Sequence, residues 1–355
     1  MPLPFPVLST GPEFYFLVAI IVLALGFDYI NGFHDAANAI ATVVATKVMT
    51  PRTAVLFGAT FNFAGALMST HVATTISKGL VHEQGMSMLV VVCALIGATL
   101  WNLITWFLGL PSSSSHALIG SLLGATFFAT ANGSQNIDWQ AVLSKIIIPM
   151  FSSPLLGFTI GFMLMVAITW LVYQVSLHRI NAVFSKLQIV SACFMALSHG
   201  NNDAQKSMGI ITLALLTYVK MSGAHFPIWF FDAGKGDPPL WVMVGCATMM
   251  ALGTLSGGWK IIHTLGNKMI KLQPIHGFAA EAAASAIILT AGHMGLPVST
   301  THVITTSIMG VGATKRLSAL KLGVVGNILW AWVLTIPLTF MFTGLLMAVI
   351  RFIFH

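Results

Sequence analysis

A polar, acidic segment is written twice inside long apolar tracts: Asn31-Gly32-Phe33-His34-Asp35-Ala36-Ala37-Asn38, and again His199-Gly200-Asn201-Asn202-Asp203-Ala204-Gln205-Lys206. Asp35 aligns with Asp203, and Asn38 with Lys206. A second doublet follows each copy, Gly109-Leu110-Pro111-Ser112-Ser113-Ser114-Ser115-His116 and Gly295-Leu296-Pro297-Val298-Ser299-Thr300-Thr301-His302. Two different motifs recurring in one order mark a duplicated unit. Ionisable groups are costly in hydrocarbon and persist there mainly where they line a cavity or pathway, so paired carboxylates at membrane depth imply a route for a solute or ion.

The surroundings of the motifs are a membrane protein's: 57% of residues are hydrophobic and 7% charged, with a mean hydropathy of +0.89. Apolar tracts of roughly 20 residues or more fill the chain almost end to end. They lie near 14–47, 52–76, 87–108, 112–131 and 146–177, then 188–219, 240–262, 276–292, 298–314 and 322–351. Five tracts in each half give the halves opposite orientations, an inverted-topology repeat. The predicted fold is therefore an all-α membrane protein, a polytopic helical bundle of about 10–12 transmembrane elements. Residues 1–180 form the first repeat and 181–355 the second. The stretch before the first tract lacks a cleavage pattern, so that tract is expected to stay in the mature protein.

Loop charges agree with the inversion. Lys47 and Arg52 in the first half face a cancelling Lys220, Asp232, Lys235 and Asp237 in the second. Lys78 with Glu83 faces Lys260, Lys268 and Lys271, and Asp138 with Lys145 faces Lys315, Arg316 and Lys321. With Arg179 and Lys186 between the halves, the positive-inside rule puts loops 47–52, 178–187, 260–275 and 315–321 in the cytoplasm and both termini outside. The net charge of +7 thus reads as topology rather than nucleic-acid binding. Cys93, Cys193 and Cys246 have no pairing or metal spacing and read as small buried hydrophobes. An enzyme is disfavoured: His82-Glu83 lacks a second His three residues on, and no Gly-x-Ser-x-Gly occurs. A passive channel fits an inverted repeat poorly.

Asp28, Asn31 and Gly32, and likewise Gly200, Asn201 and Asn202, are poor interior helix residues, which predicts helix breaks in both copies. Pro111 and Pro297 suit a helix's first turn, with the Ser/Thr runs at its N-terminus, in a re-entrant hairpin or a full span. Helix N-termini with added hydroxyls form sites for a tetrahedral oxyanion, making Ser113, Ser114, Ser115, Thr300 and Thr301 candidate donors. Asp35, Asn38 and Asp203 would repel such an anion unless a coupling cation, sodium or a proton, neutralised them. Lys206, in the place of Asn38, supplies a fixed ammonium and favours the proton; an Asp203–Lys206 ion pair that only holds the fold is the bland alternative. Glu281 and Asp28 are candidate proton relays or solvated carboxylates. Histidines 34, 116, 199, 276 and 302 match no metal site and are expected to hydrogen-bond; no cofactor is implied.

The two Asp motifs and the two Gly-Leu-Pro-(Ser/Val)-Ser-(Ser/Thr)-(Ser/Thr)-His motifs closely resemble the inorganic phosphate transporter (PiT) family, over nearly the whole chain. The resemblance implies a cation-coupled phosphate permease working by alternating access, one half rocking against the other, as a homodimer. By motif, Asp35, Asn38, Asn202 and Asp203 would form the cation and substrate core. His34 and Lys206 depart from the Asn-Asp-x-x-Asn pattern of many sodium-coupled members, which favours proton symport. The short connection at 178–187 resembles a compact bacterial form in an inner membrane. Sulfate, or a neutral metal–phosphate complex, are the alternative cargoes.

Overall fold

The computed structural model describes residues 11–78, 80–82, 85, 87–130, 132–268, 271–315 and 321–354. Glu83 and Arg316, used in the loop-charge comparison, lie outside them, as do the side chains of Lys78 and Lys268. The described chain is helical. In order, the helices are α1 (Pro12–His34), α2 (Ala36–Ala45), α3 (Pro51–Ala66), α4 (His71–Lys78), α5 (Met88–Leu108), α6 (Ser114–Ala129), α7 (Trp139–Val142), α8 (Ile148–Leu171), α9 (Leu177–Ser222), α10 (Leu240–Ser256), α11 (Trp259–His263), α12 (Pro274–His293), α13 (Thr300–Ala313) and α14 (Leu322–Phe354). A π turn over Leu143–Ile147 joins α7 to α8.

Six of the continuous helical stretches are long and apolar enough to cross a bilayer, and two bent pairs bring the number to eight. The bent pairs are related across the duplication: α3–α4 turns through 66° and α10–α11 through 61°. The apolar helix α6 has 16 residues and α13 has 14, so at 1.5 Å per residue they reach about 24 and 21 Å, short of a hydrocarbon core of about 30 Å. Each instead folds back beside the helix before it, α6 on α5 and α13 on α12. Both halves thus contain five elements, in the order the apolar tracts give.

The hairpin tips show what the Gly-Leu-Pro motif does. Gly109 (φ 67°) and Gly295 (φ 68°) take the left-handed conformation that ends a helix. The next N–H, of Leu110 or Leu296, returns 2.9 Å to Thr105 O or Ala291 O. Pro111 and Pro297 then sit at the centre of a tight turn, closed by Ser112 N–H to Leu110 O and by Val298 N–H to Leu296 O at 2.9 Å, outside the first helical turn expected for them. Ser113 and Ser299 are the N-caps, each accepting at 3.2 Å from the N–H of His116 or His302. A proline two residues before the cap stops the old helix rather than starting the new one.

The predicted interruption occurs in one acidic motif only, and beyond the residues that suggested it, since Asp28, Asn31 and Gly32 lie within α1. The first helix is interrupted at Asp35 (φ −96°, ψ 5°), between α1 and α2. In the second copy α9 runs unbroken for 46 residues through Gly200, Asn201, Asn202 and Asp203. Side chains there find partners without opening the backbone. Gln205 Oε1 accepts from Val72 and Ala73 N–H at the start of α4, 2.8 and 3.2 Å away, and Asn201 Oδ1 accepts from Ser69 Oγ at 2.9 Å.

Glycines let the central helices touch backbone to backbone. A Cβ on Gly32 of α1 would stand 2.3 Å from Met250 O of α10, and one on Gly200 of α9 would stand 2.1 Å from Asn62 O of α3. Motif-related glycines therefore seat motif-related helix pairs. The halves are also interleaved, since α6 packs on α14 of the second half and α13 on α8 of the first. Lys47, just past α2, has φ 61° and is the one non-glycine residue with positive φ among the described residues, a conformation costing about 1–2 kcal/mol.

Gly200→Ala should separate α3 from α9 and cost about 1–3 kcal/mol. Gly26→Ala, with nothing within 4 Å of its Cβ, should be silent. Melting of the two detergent-purified variants checks this, and equal melting temperatures would refute the close-contact account.

Candidate functional site

The two carboxylates meet the two hairpin tips in the interior, and every side chain of the cluster is 3% exposed or less. Ser114, the first residue of α6, donates through Oγ to Asp35 Oδ2 at 2.8 Å. Its counterpart Thr300, the first residue of α13, donates to Asp203 Oδ2 at 3.1 Å. Thr301 Oγ1 lies 3.4 Å from Asp35 Oδ1, crossing between the halves. Asn38 Nδ2 donates to both threonines, 3.2 Å to Thr300 Oγ1 and 2.9 Å to Thr301 Oγ1. Asp35, Asn38, Ser114, Thr300, Thr301 and Asp203 thus form one network, and Lys206 enters it through a 2.5 Å contact of Nζ with Asp203 Oδ1.

A histidine backs each carboxylate. His34 Nδ1 is 2.6 Å from Asp35 Oδ1, and its Nε2 is 3.0 Å from Thr105 Oγ1. His199 Nε2 is 3.2 Å from Asp203 Oδ2, close but off the line of a good hydrogen bond. Asn62 fixes the other side of that ring. Its Nδ2 donates to Thr254 Oγ1 at 2.9 Å, which turns Oδ1 toward His199 Nδ1, 3.1 Å away, so Nδ1 carries a proton. In a neutral ring Nε2 would then be an acceptor facing a carboxylate oxygen. His199 Nε2 therefore makes no hydrogen bond to Asp203 among the described residues, and the charge in contact with that carboxylate comes from Lys206. Ligand atoms of Asp35, His199 and Asp203 lie within 4.8 Å of one another, and the buried Asn38 Oδ1 and Asn202 Oδ1 have no hydrogen-bond partner among the described residues.

Other predicted residues take different places. Ser113 is committed to capping α6, although its hydroxyl proton stays free to donate. Ser115 Oγ donates to Val298 O at 3.2 Å, tying the two tips, and Asn202 Nδ2 reaches Leu296 O at 3.4 Å. Glu281 stands apart on α12, bonded by Thr42 Oγ1, Ser191 Oγ and Gln188 Nε2. Asp28 accepts from Ser207 Oγ at 2.6 Å, one residue beyond Lys206, and its Oδ2 has no partner among the described residues. His34, His199 and His276 make polar contacts as expected. His116 and His302 instead pack their rings, 4.7 Å between centroids, and His302 stacks 3.9 Å from Trp332. Thr105, Asn62 and Thr254 carried no sequence signal, because an isolated polar residue in an apolar tract is ordinary.

A duplicated multi-pass bundle with a polar, charged and fully enclosed centre at two helix N-termini is the construction of a membrane transporter, not of an enzyme. The phosphate transporter family model matches residues 31–180 and again 174–343. Among curated relatives, a protein of Rhizobium meliloti (strain 1021) named "Probable low-affinity inorganic phosphate transporter" is 44% identical over 91% of this chain and 93% of its own. A Bacillus subtilis (strain 168) protein of the same name gives the same figures. A solved structure titled "The sodium-dependent phosphate transporter" superposes with a TM-score of 0.84 over 96% of this chain and 100% of that one, at 24% identity, and shares the fold. The chain belongs to the phosphate transporter family.

Ser113→Ala and Ser299→Ala should each cost about 1 kcal/mol through loss of the N-cap, to a similar extent in both halves. Thermal melting of the purified variants checks this, and a large loss at one position alone would break the equivalence of the tips.

Proposed function

We propose that the protein imports inorganic phosphate across a bacterial inner membrane by proton symport. The observation that carries the reading is the 2.5 Å contact of Lys206 Nζ with Asp203 Oδ1, which puts a lysine amine against the second carboxylate where the first half has Asn38. The hydroxyls of Ser114, Thr300 and Thr301, now turned to carboxylates, and the free N–H groups of both helix N-termini are donors for the oxyanion, with Ser113 and Ser115 beside them. Asn202 and Lys206 would complete the phosphate subsite, and Lys206 already compensates Asp203. A proton on His199, or on the His34–Asp35 pair, would offset the incoming anion's charge. Phosphate also carries a hydrogen that can donate to a carboxylate, as sulfate does not, which favours phosphate over sulfate.

A second reading puts sodium in that position, supported by the clustered Asp35, His199 and Asp203 and the unpartnered amide oxygens of Asn38 and Asn202. In either case Glu281 and Asp28 are candidate relays outside the core. The reading keeps the repeats at 1–180 and 181–355 and a homodimer. Alternating access would move interleaved sets, α6 with α14 and α13 with α8, rather than one sequence half against the other.

Uptake of radiolabelled phosphate into proteoliposomes tests the reading, with an imposed proton or sodium gradient, excess sulfate, and a light-scattering mass of the same preparation. Expected are proton-driven accumulation indifferent to sodium and sulfate, and a dimer's mass. Sodium-driven uptake transfers the charge to the second reading, and strong sulfate competition or a strict need for a divalent metal changes the cargo. Lys206→Asn should remove proton-driven uptake or make it sodium-dependent while the protein still purifies folded; unchanged proton-driven uptake would refute the role given to Lys206.

A further inference from the structure

The basic loops converge on a cavity unrelated to the core. Lys47 after α2, Lys271 before α12 and Lys321 before α14 line one space of about 810 Å³ together with Thr46, Asn181 and Gln273. Asn181 and Gln273 also line a neighbouring cavity of about 600 Å³, so the two adjoin. That second cavity carries Lys315 at its polar end and Trp170, Tyr173 and Ile180 on its apolar wall. Among the described residues, neither cavity is lined by an acidic side chain and none of the four lysines forms an ion pair. The N-terminus of the 20-residue helix α12 opens at the same place, through Gln273 and Pro274, adding its positive dipole end.

Topology accounts for basic residues on the cytoplasmic face but not for their gathering in one cavity. Lys47, Lys271 and Lys321 are exposed, so solvent screens their mutual repulsion, and an anion shared among them would relieve what remains. Lys47 is held there in a left-handed backbone conformation that a glycine or asparagine would take more readily, a strain that surrounding structure must maintain. The wall beside the lysines is amphipathic in the manner of a lipid site: Trp170 is 77% and Tyr173 76% exposed, at the end of α8 where aromatic side chains mark the membrane interface.

We propose that this double cavity binds a phosphate-bearing anion, an inner-leaflet anionic phospholipid whose headgroup phosphate sits among Lys47, Lys271 and Lys321 and whose acyl chain lies along Trp170, Tyr173 and Ile180. The lipid joins the end of α2, the start of α9 and the start of α12. The site is independent of what the core carries, and its test reads binding rather than transport.

The full-length protein in neutral detergent micelles is melted while phosphatidylglycerol is titrated in at constant ionic strength, against phosphatidylcholine and against inorganic phosphate. Expected is a saturable rise in melting temperature with phosphatidylglycerol and not with phosphatidylcholine, which persists when inorganic phosphate is present at saturation and the core is filled. K47G/K271Q/K321Q should need at least tenfold more of that lipid for half the effect, and K47R/K271R/K321R should respond as the parent protein does. Lys47→Gly relieves the left-handed strain, so a loss of response there is not a loss of fold. If the neutralised variant does not purify, native mass spectrometry of the parent protein decides: retention of phosphatidylglycerol over phosphatidylcholine supports the site. An equal response in the neutralised variant, an equal effect of phosphatidylcholine, or loss of the lipid's effect in saturating inorganic phosphate would each overturn the lipid assignment, the last in favour of a free anion.

Discussion

Two carboxylates inside a membrane bundle must be given partners, and the hydrogen bonds from Ser114 to Asp35 and from Thr300 to Asp203 are the contacts around which the rest is arranged. Hydrocarbon offers no water to take their place, so each half has to bring a helix start to mid-protein. A full span cannot do that. A hairpin can, and its tip then needs a helix stop, a proline that blocks continuation, a cap and a hydroxyl in immediate succession. Gly109 to Ser114 and Gly295 to Thr300 supply these in one order with the same backbone bonds. The motif is therefore a structural device in its own right.

The duplication is faithful in backbone and unequal in charge. Asp35 is held by His34, Ser114 and Thr301, whereas Asp203 has the Lys206 amine in contact and the His199 ring beside it. An ion pair this deep recovers its desolvation cost only when both groups are otherwise well bonded; stripping one partner costs about 3–5 kcal/mol. Thr300 provides that support on the carboxylate side. The same inequality explains why one copy breaks its helix and the other does not. Lys206, Gln205 and Asn201 reach their partners from an intact α9, while the first copy has Ala36 and Ala37 after its acid and turns its backbone at Asp35.

What the sequence makes legible follows from this. Residues that repeat are visible: the acids, the hydroxyl runs and the five-element order all recur at matching places, and the structure joins Asp35, Asn38, Ser114, Thr300, Thr301, Asp203 and Lys206 in one network. Partners contributed singly are not visible. Nothing in the local sequence marks Thr105 as the residue behind His34, or Asn62 as the residue that orients His199, since each is one polar group among apolar neighbours. The continuity of α9 was hidden for the same reason, because the partners of its Asn and Gln side chains lie on α3–α4 more than a hundred residues away. Propensity described the isolated segment, and tertiary bonds overrode it.

The core is sealed, so passage requires bonds to break, and their placement limits how. Along α2 the polar positions Asp35, Asn38, Thr42 and Thr46 follow at intervals of three and four and share one helical face. That line runs from the carboxylate network to the basic face. Glu281 lies across it, bonded to Thr42 of α2 and to Ser191 and Gln188 of α9, and Gln188 in turn accepts from Thr46. Three helices from both halves meet at a single carboxyl group. An opening toward the basic face along α2 must therefore part α2 from α9 and α12 at this group, whereas the α1–α10 and α3–α9 glycine contacts, with backbone against backbone, can slide but not spread. Rigid separation of the two sequence halves would part α2 from α9 and α12 but would also spread the α1–α10 and α3–α9 contacts, which motion by the hairpins and their interleaved partners would leave in place.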